Sequence, residues 1–68
     1  MKISYIDRYG SYTDNYVYYI HYENGDIERE TEQTISKEAR DFMSEKNSIY
    51  QFRKKSKSGE FYHRYAAR

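Results

Sequence analysis

Cysteine, proline, tryptophan and leucine are all absent from this chain of 68 residues, and glycine occurs three times. Without cysteine there are no disulfides and no thiolate zinc sites, and the usage fits a reducing cytosol. No window approaches the roughly 20 apolar residues of a membrane-spanning helix. The opening residues MKISYIDRYG are too polar for a signal peptide, which needs a short apolar run. A soluble, cytoplasmic protein with no membrane association is the expectation. The sequence also lacks a glycine-rich phosphate loop and any acidic cluster with magnesium-site spacing, so neither cofactor nor metal is expected. The missing leucine raises the main question, because something else must fill the core.

That something is tyrosine, present ten times. A chain this short buries only about 60% of the surface it exposes when unfolded, so its stability is marginal. A mean hydropathy of −1.26 leans towards disorder. A net charge of only +1 and an aromatic content of 19% oppose that reading, since disordered segments are poor in aromatics and rich in net charge. The bias towards Tyr, Ile, Lys, Asn and Glu fits AT-rich coding, as in low-GC bacteria and their phages. Charge is unevenly placed: residues 1–34 hold three basic and seven acidic side chains, and residues 35–68 hold nine and four.

The expected fold is one α+β domain spanning 1–68: a small antiparallel sheet in the order β-β-β-α-β-β, with one helix packed on one face. KISYID (2–7) reads as a first strand, followed by a loop at Gly10, Thr13, Asp14 and Asn15. YVYYIHYE (16–23) is nearly all aromatic or β-branched, the types favoured on a pleated surface. Asn24-Gly25 then signals a two-residue hairpin turn. That turn sets Tyr22 opposite Ile27, His21 opposite Glu28 and Tyr19 opposite Glu30. One face then holds Tyr16, Tyr18, Ile20, Tyr22 and Ile27 as core, and the other holds Val17, Tyr19, His21, Glu28, Glu30 and Glu32. The charged strand DIERETE reads as a protected edge. A helix is expected over 35–47, capped by Ser36, with Ile35, Ala39, Phe42 and Met43 on one stripe. A second hairpin follows, 48–55 with 60–65, pairing Phe52 with Phe61 and Tyr50 with His63, and the AAR tail frays.

Three classes of function compete. For catalysis, His21 beside Glu28, or Tyr62, His63, Arg64 and Tyr65 in the manner of small RNA-cleaving toxins, supply acid–base groups. Their spacing demands nothing, and a solvated cross-strand pair explains them as well. A non-enzymatic protein is therefore the reading. For protein binding, Tyr is a preferred interface residue, and ten exceed what so small a core hides. Val17, Tyr19, His21, Glu28, Glu30 and Glu32 form the candidate face, with Tyr62 and Tyr12 also expected to be exposed. Its acidity would steer it to a basic surface on a host protein, including a nucleic-acid enzyme, since the strand imitates nucleic-acid charge. A phage- or mobile-element-type regulator or inhibitor would fit this description. A homodimer on the same patch is an intermediate alternative. For nucleic-acid binding, the C-terminal hairpin mixes cations with aromatics, and Arg53, Lys54, Lys55, Lys57, Tyr62 and Arg64 are the candidates. Against this stand the small net charge and the acidic first half.

Overall fold

Isoleucine, valine and tyrosine runs form strands, and serine and asparagine break the chain between them. The computed structural model describes residues 2–10, 15–54 and 60–68. Along the chain come β1 (Ile3–Tyr9), β2 (Val17–Tyr22), β3 (Ile27–Thr31), α1 (Lys37–Phe42), β4 (Ser48–Lys54) and β5 (Phe61–Ala67). The architecture is broadly α+β and mostly sheet, with the element order expected. In space the five strands lie in the order β3-β2-β1-β5-β4. The C-terminal hairpin therefore returns to the N-terminal strand: β5 pairs antiparallel with β1, setting Asp7 opposite Arg64. β3 and β4 are the two edges. No helix among the described residues is long and apolar enough to cross a membrane.

The buried cluster joins Ile3, Ile6, Tyr18, Ile20, Ile35 and Ala39, with Tyr16, Tyr22, Phe42 and Met43 packed against it. Ile6 pairs with Ile20 and is fully buried, which stabilises by about 1.5–3 kcal/mol for a side chain of this size. Ile3 and Ile6 lie three apart and would face opposite ways in a regular strand. A register shift between Ile3 and Tyr5 brings both into the cluster, as an extra residue in one strand can. The tyrosine face of β2 is thus core as expected, with Tyr18 and Ile20 each 2% exposed.

The first hairpin differs from expectation by one residue. The observed partners are His21 with Ile27, Ile20 with Glu28, Tyr19 with Arg29 and Tyr18 with Glu30. The loop has three residues rather than two: Gly25 N–H donates to Tyr22 O (3.0 Å), and Tyr22 N–H donates to Asp26 O (2.9 Å). Only Gly25 takes positive φ, at 96°, so this is a turn followed by a left-handed glycine bulge. Asn24 stays out of that region, and its side-chain oxygen accepts from Asp26 N–H at 3.0 Å. A one-residue slip turns over every side chain of a strand. Ile27 accordingly leaves the core and stands 58% exposed.

The helix is shorter than its stripe predicts. Ser36 caps it, its hydroxyl accepting from Ala39 N–H at 3.2 Å. It ends at Phe42 because the polar residues beyond bond the backbone in turns. Asn47 Nδ2 donates to Asp41 O (2.9 Å), and Ser48 Oγ donates to Ser44 O (2.9 Å). The second hairpin is displaced by two residues, pairing Phe52 with His63, Tyr50 with Tyr65 and Lys54 with Phe61, which preserves the faces. The tail does not fray. Ala66 pairs with both Tyr5 and Ile49, and Arg68 Nε donates to Glu45 O at 2.7 Å.

Candidate functional site

Cross-strand partners share a face, so the registers sort every strand residue. One face carries Ile6, Arg8, Tyr18, Ile20, Glu28, Glu30, Tyr50, Phe52, His63 and Tyr65. The other face carries Tyr5, Asp7 and Tyr9 of β1, Val17, Tyr19 and His21 of β2, and Tyr62 and Arg64 of β5. Ile27 and Arg29 extend it on one side, and Gln51 and Arg53 on the other. None of the residues of this second face belongs to the buried apolar cluster.

A carboxylate anchors it. Asp7 is 4% exposed although it lies outside that cluster. Arg64 grips it with two bonds, Nε to Oδ1 at 2.7 Å and Nη2 to Oδ2 at 3.0 Å. The carboxylate holds the guanidinium pKa above its ordinary value. The Arg64 guanidinium also lies 4.3 Å from the centre of the Tyr5 ring, a favourable cation–π distance. Tyr5 stacks in turn on His21 at 4.1 Å and 15°. Tyr9 stacks on Tyr62 at 4.9 Å and meets Tyr19 edge-on at 5.5 Å.

These side chains border a shallow groove of about 660 Å³ lined by Tyr5, Asp7, Val17, Tyr19, His21 and Arg64, among others. His21 Nε2 is 3.9 Å from Asp7 Oδ2. Burial pushes its pKa below the ordinary value and outweighs the opposing pull of Asp7. The ring is therefore neutral at pH 7, and no ion pair forms there. Asp7 is already engaged by Arg64, so it does not orient the imidazole as a base. Among the described residues no group of three or more His, Cys, Asp or Glu side chains could hold a metal ion.

The expected protein-binding residues are split between the two faces. Val17, Tyr19 and His21 line the groove. Glu28 and Glu30 lie on the other face, opposite Ile20 and Tyr18. Glu32 accepts a hydrogen bond from Tyr18 Oη and is held by Arg40 Nη2 at 3.1 Å. Those bonds lower the Glu32 pKa, and Tyr18, buried and donating to a carboxylate, is pushed up to about 12. The glutamates stay together, but beside Tyr18 and Tyr22 rather than Tyr19 and His21.

The expected nucleic-acid residues are also divided, in the opposite sense. Arg53, Tyr62 and Arg64 join the groove face, with Arg53 Nε donating to Tyr62 Oη at 3.2 Å. Lys54 pairs with Phe61 on the reverse face, while Lys55, Lys57 and Tyr12 lie outside the described residues. Tyr62 and Arg64 point away from His63 and Tyr65, so the toxin-like quartet does not converge. His63 is bonded instead through Nδ1 to Tyr50 Oη at 2.6 Å.

Sequence reasoning missed Tyr5, Asp7 and Tyr9. The available signal was a strand in which two aromatics two positions either side of a carboxylate share its face. Its partner Arg64 is 57 positions away, and no local pattern announces that pairing. Comparison of the chain with protein-family models, curated proteins and solved structures finds no match.

Proposed function

We propose that this chain is a non-enzymatic binding protein, a small regulator or inhibitor of the phage or mobile-element kind. It would dock a partner protein on the face of Tyr5, Tyr9, Val17, Tyr19, His21 and Tyr62. Helix α1 serves as the cover of the opposite face, which leaves this one for the partner. The observation that carries the reading is the convergence of five aromatic rings, counting His21, with Arg64 and Arg53 on one face of the sheet. Tyrosine and arginine supply a disproportionate share of interface binding energy. The rings are already held by stacking, so little side-chain freedom remains to be lost on binding.

The register changes the expected partner. With Glu28 and Glu30 turned away and Ile27 and Arg29 turned in, the charged groups of this face are Asp7, Arg29, Arg53 and Arg64, with Glu60 at the groove. Asp7 is neutralised by Arg64, so the face is apolar and mildly basic. An acidic patch on the partner is the complement, rather than the basic one suggested by the sequence.

A second reading, single-stranded nucleic acid on the same face, is favoured by the placement of Arg53, Tyr62 and Arg64 together. The self-stacked rings weigh against it. Base stacking needs free ring faces, whereas Tyr9 is stacked on Tyr62 and Tyr5 lies between His21 and Arg64.

Capture of partners from host lysate separates the readings. Tyr19→Ser with Ile27→Asp should lose a discrete captured protein that Glu28→Lys with Glu30→Lys retains. Equal capture by both variants removes this face as the site. A labelled single strand retained at about 50 mM salt, released at 200 mM and lost in Arg53→Ala with Tyr62→Ala would install the second reading.

A further inference from the structure

The two edges of the sheet are unlike. β3 (IERET) presents Glu28, Arg29 and Glu30 in five residues, the charged pattern that keeps an edge from pairing with strangers. β4 (SIYQFRK) is seven residues long and keeps its two charges, Arg53 and Lys54, at one end. It contains no proline, and its pairing with β5 runs from Ser48 to Lys54 without a register shift. Ile49, Tyr50, Phe52 and the neighbouring Phe61 are 47%, 50%, 60% and 52% exposed. Phe52 and Phe61 stack at 5.0 Å, and Tyr50 packs near Tyr65 at 5.4 Å. An open, regular edge beside such a patch is an association surface.

We infer that β4 is a self-association edge, pairing antiparallel with β4 of a second copy across a two-fold axis at Gln51. An axis perpendicular to the sheet preserves the faces, so partner residues must both be odd or both be even. Centring it on Gln51 gives the full seven-residue overlap. Gln51 then meets its own copy, Tyr50 meets Phe52, Ile49 meets Arg53 and Ser48 meets Lys54. No cation faces another, although the strand holds two. On the core-bearing face Phe61, Phe52 and the second copy's Tyr50 and Tyr65 run into one aromatic row.

The exposed rings supply part of the area a dimer needs. Aromatic side chains carry roughly 200 Å² each, so the half-exposed Tyr50, Phe52 and Phe61 offer about 300 Å² per copy on the core-bearing face. The pair reaches about 600 Å² from these rings, and Ile49, the strand backbones and the polar neighbours supply the rest of the roughly 1,200 Å² at which specific interfaces begin. Ile49, Gln51 and Arg53 meet their partners at the rim of the groove face, whereas Tyr5, Asp7, Val17, Tyr19 and His21 lie strands away on β1 and β2, so the groove stays open and each dimer would present two.

Light scattering on the full chain across a concentration series tests the inference. Twice the monomer mass of 8.4 kDa is expected at the upper concentrations. Phe52→Lys should return the protein to the monomer mass while leaving its circular dichroism unchanged. Because the chain has no cysteine, Gln51→Cys reports the register. It should oxidise to a disulfide-linked dimer at least tenfold faster than Glu28→Cys on the other edge. A monomer mass at every concentration, a dimer that survives Phe52→Lys, or equal oxidation of the two cysteine variants each overturns it. A monomer that instead gains an extended peptide on β4 also overturns the homodimer, because the edge then serves a different strand.

Discussion

Asp7 and Arg64 join the two ends of the chain, and breaking that pair should cost more than its size implies. Asp7 is 4% exposed, and the Arg64 side chain is 25% exposed. Removing one member of a buried pair typically costs about 3–5 kcal/mol, because the other charge is left uncompensated. The partial exposure of Arg64 lets water screen part of this, so about 2–3 kcal/mol is expected for Asp7→Leu or Arg64→Met alone. A domain of 68 residues has about 3–10 kcal/mol to lose, so either single change brings the fold near its limit. The double variant replaces the pair with apolar groups of similar volume and should recover at least about 2 kcal/mol relative to the sum of the singles. Urea denaturation followed by circular dichroism measures all four proteins. At about 1 kcal/mol per molar for a small domain, each single variant should lose about 2 M of midpoint. Singles that add to within about 0.5 kcal/mol of the double would refute the coupling and make the contact an exposed ornament.

Burial lowers the pKa of both His21 and His63. The folded state then takes up their protons less readily than the unfolded state, and stability rises with pH through the histidine range. The melting temperature should accordingly fall as pH drops below about 6.5, and His63→Phe should flatten part of that fall. A profile level from pH 7 to 5 contradicts it. Gly10 has φ of 104°, and a Cβ there would lie 2.6 Å from Asn15 O. Gly10→Ala should therefore cost about 1–3 kcal/mol, whereas Gly25→Ala, strained in φ but facing open space, should cost about 1 kcal/mol; denaturant midpoints rank the two. Burial, with a bond to Glu32, raises Tyr18 to about 12, and a bond to Glu28, with burial, raises Tyr22 to about 12. These two should ionise last in an alkaline absorbance titration, and the stability they contribute is lost as pH climbs from 10 towards 12. Glu32→Gln should bring the Tyr18 step down, and an unchanged titration would deny the bond.

The strands, the Ser36 cap and the β2 core face were legible because each rests on local chemistry: aromatic and β-branched runs, a hydroxyl before a helix, alternation. The β2–β3 register was not. Glu23-Asn24-Gly25 suits both a two-residue and a three-residue loop, and the choice turns on whether Asn24 takes positive φ. Apolar alternation normally decides such cases, but β3 offers Ile27 as its sole large apolar residue. The helix was overread because Phe42 and Met43 continue a stripe that Ser44 and Asn47 interrupt with backbone bonds. The groove face needed β5 beside β1, a pairing between chain ends.

The left-handed glycine after Asn24 also bears on how such a protein diversifies. Substitutions along β3 adjust its surface one position at a time. Narrowing the turn to Asn24-Gly25, through a substitution such as Asn24→Gly that lets position 24 take positive φ, re-registers the whole strand, exchanging Ile27 and Arg29 on the groove face for Glu28 and Glu30. The outward charge of the face changes sign in one mutational step while β1, β2 and β5 keep their places. The backbone preference of that one turn position, more than substitution along the strand, is the quick route from an acidic target to a basic one.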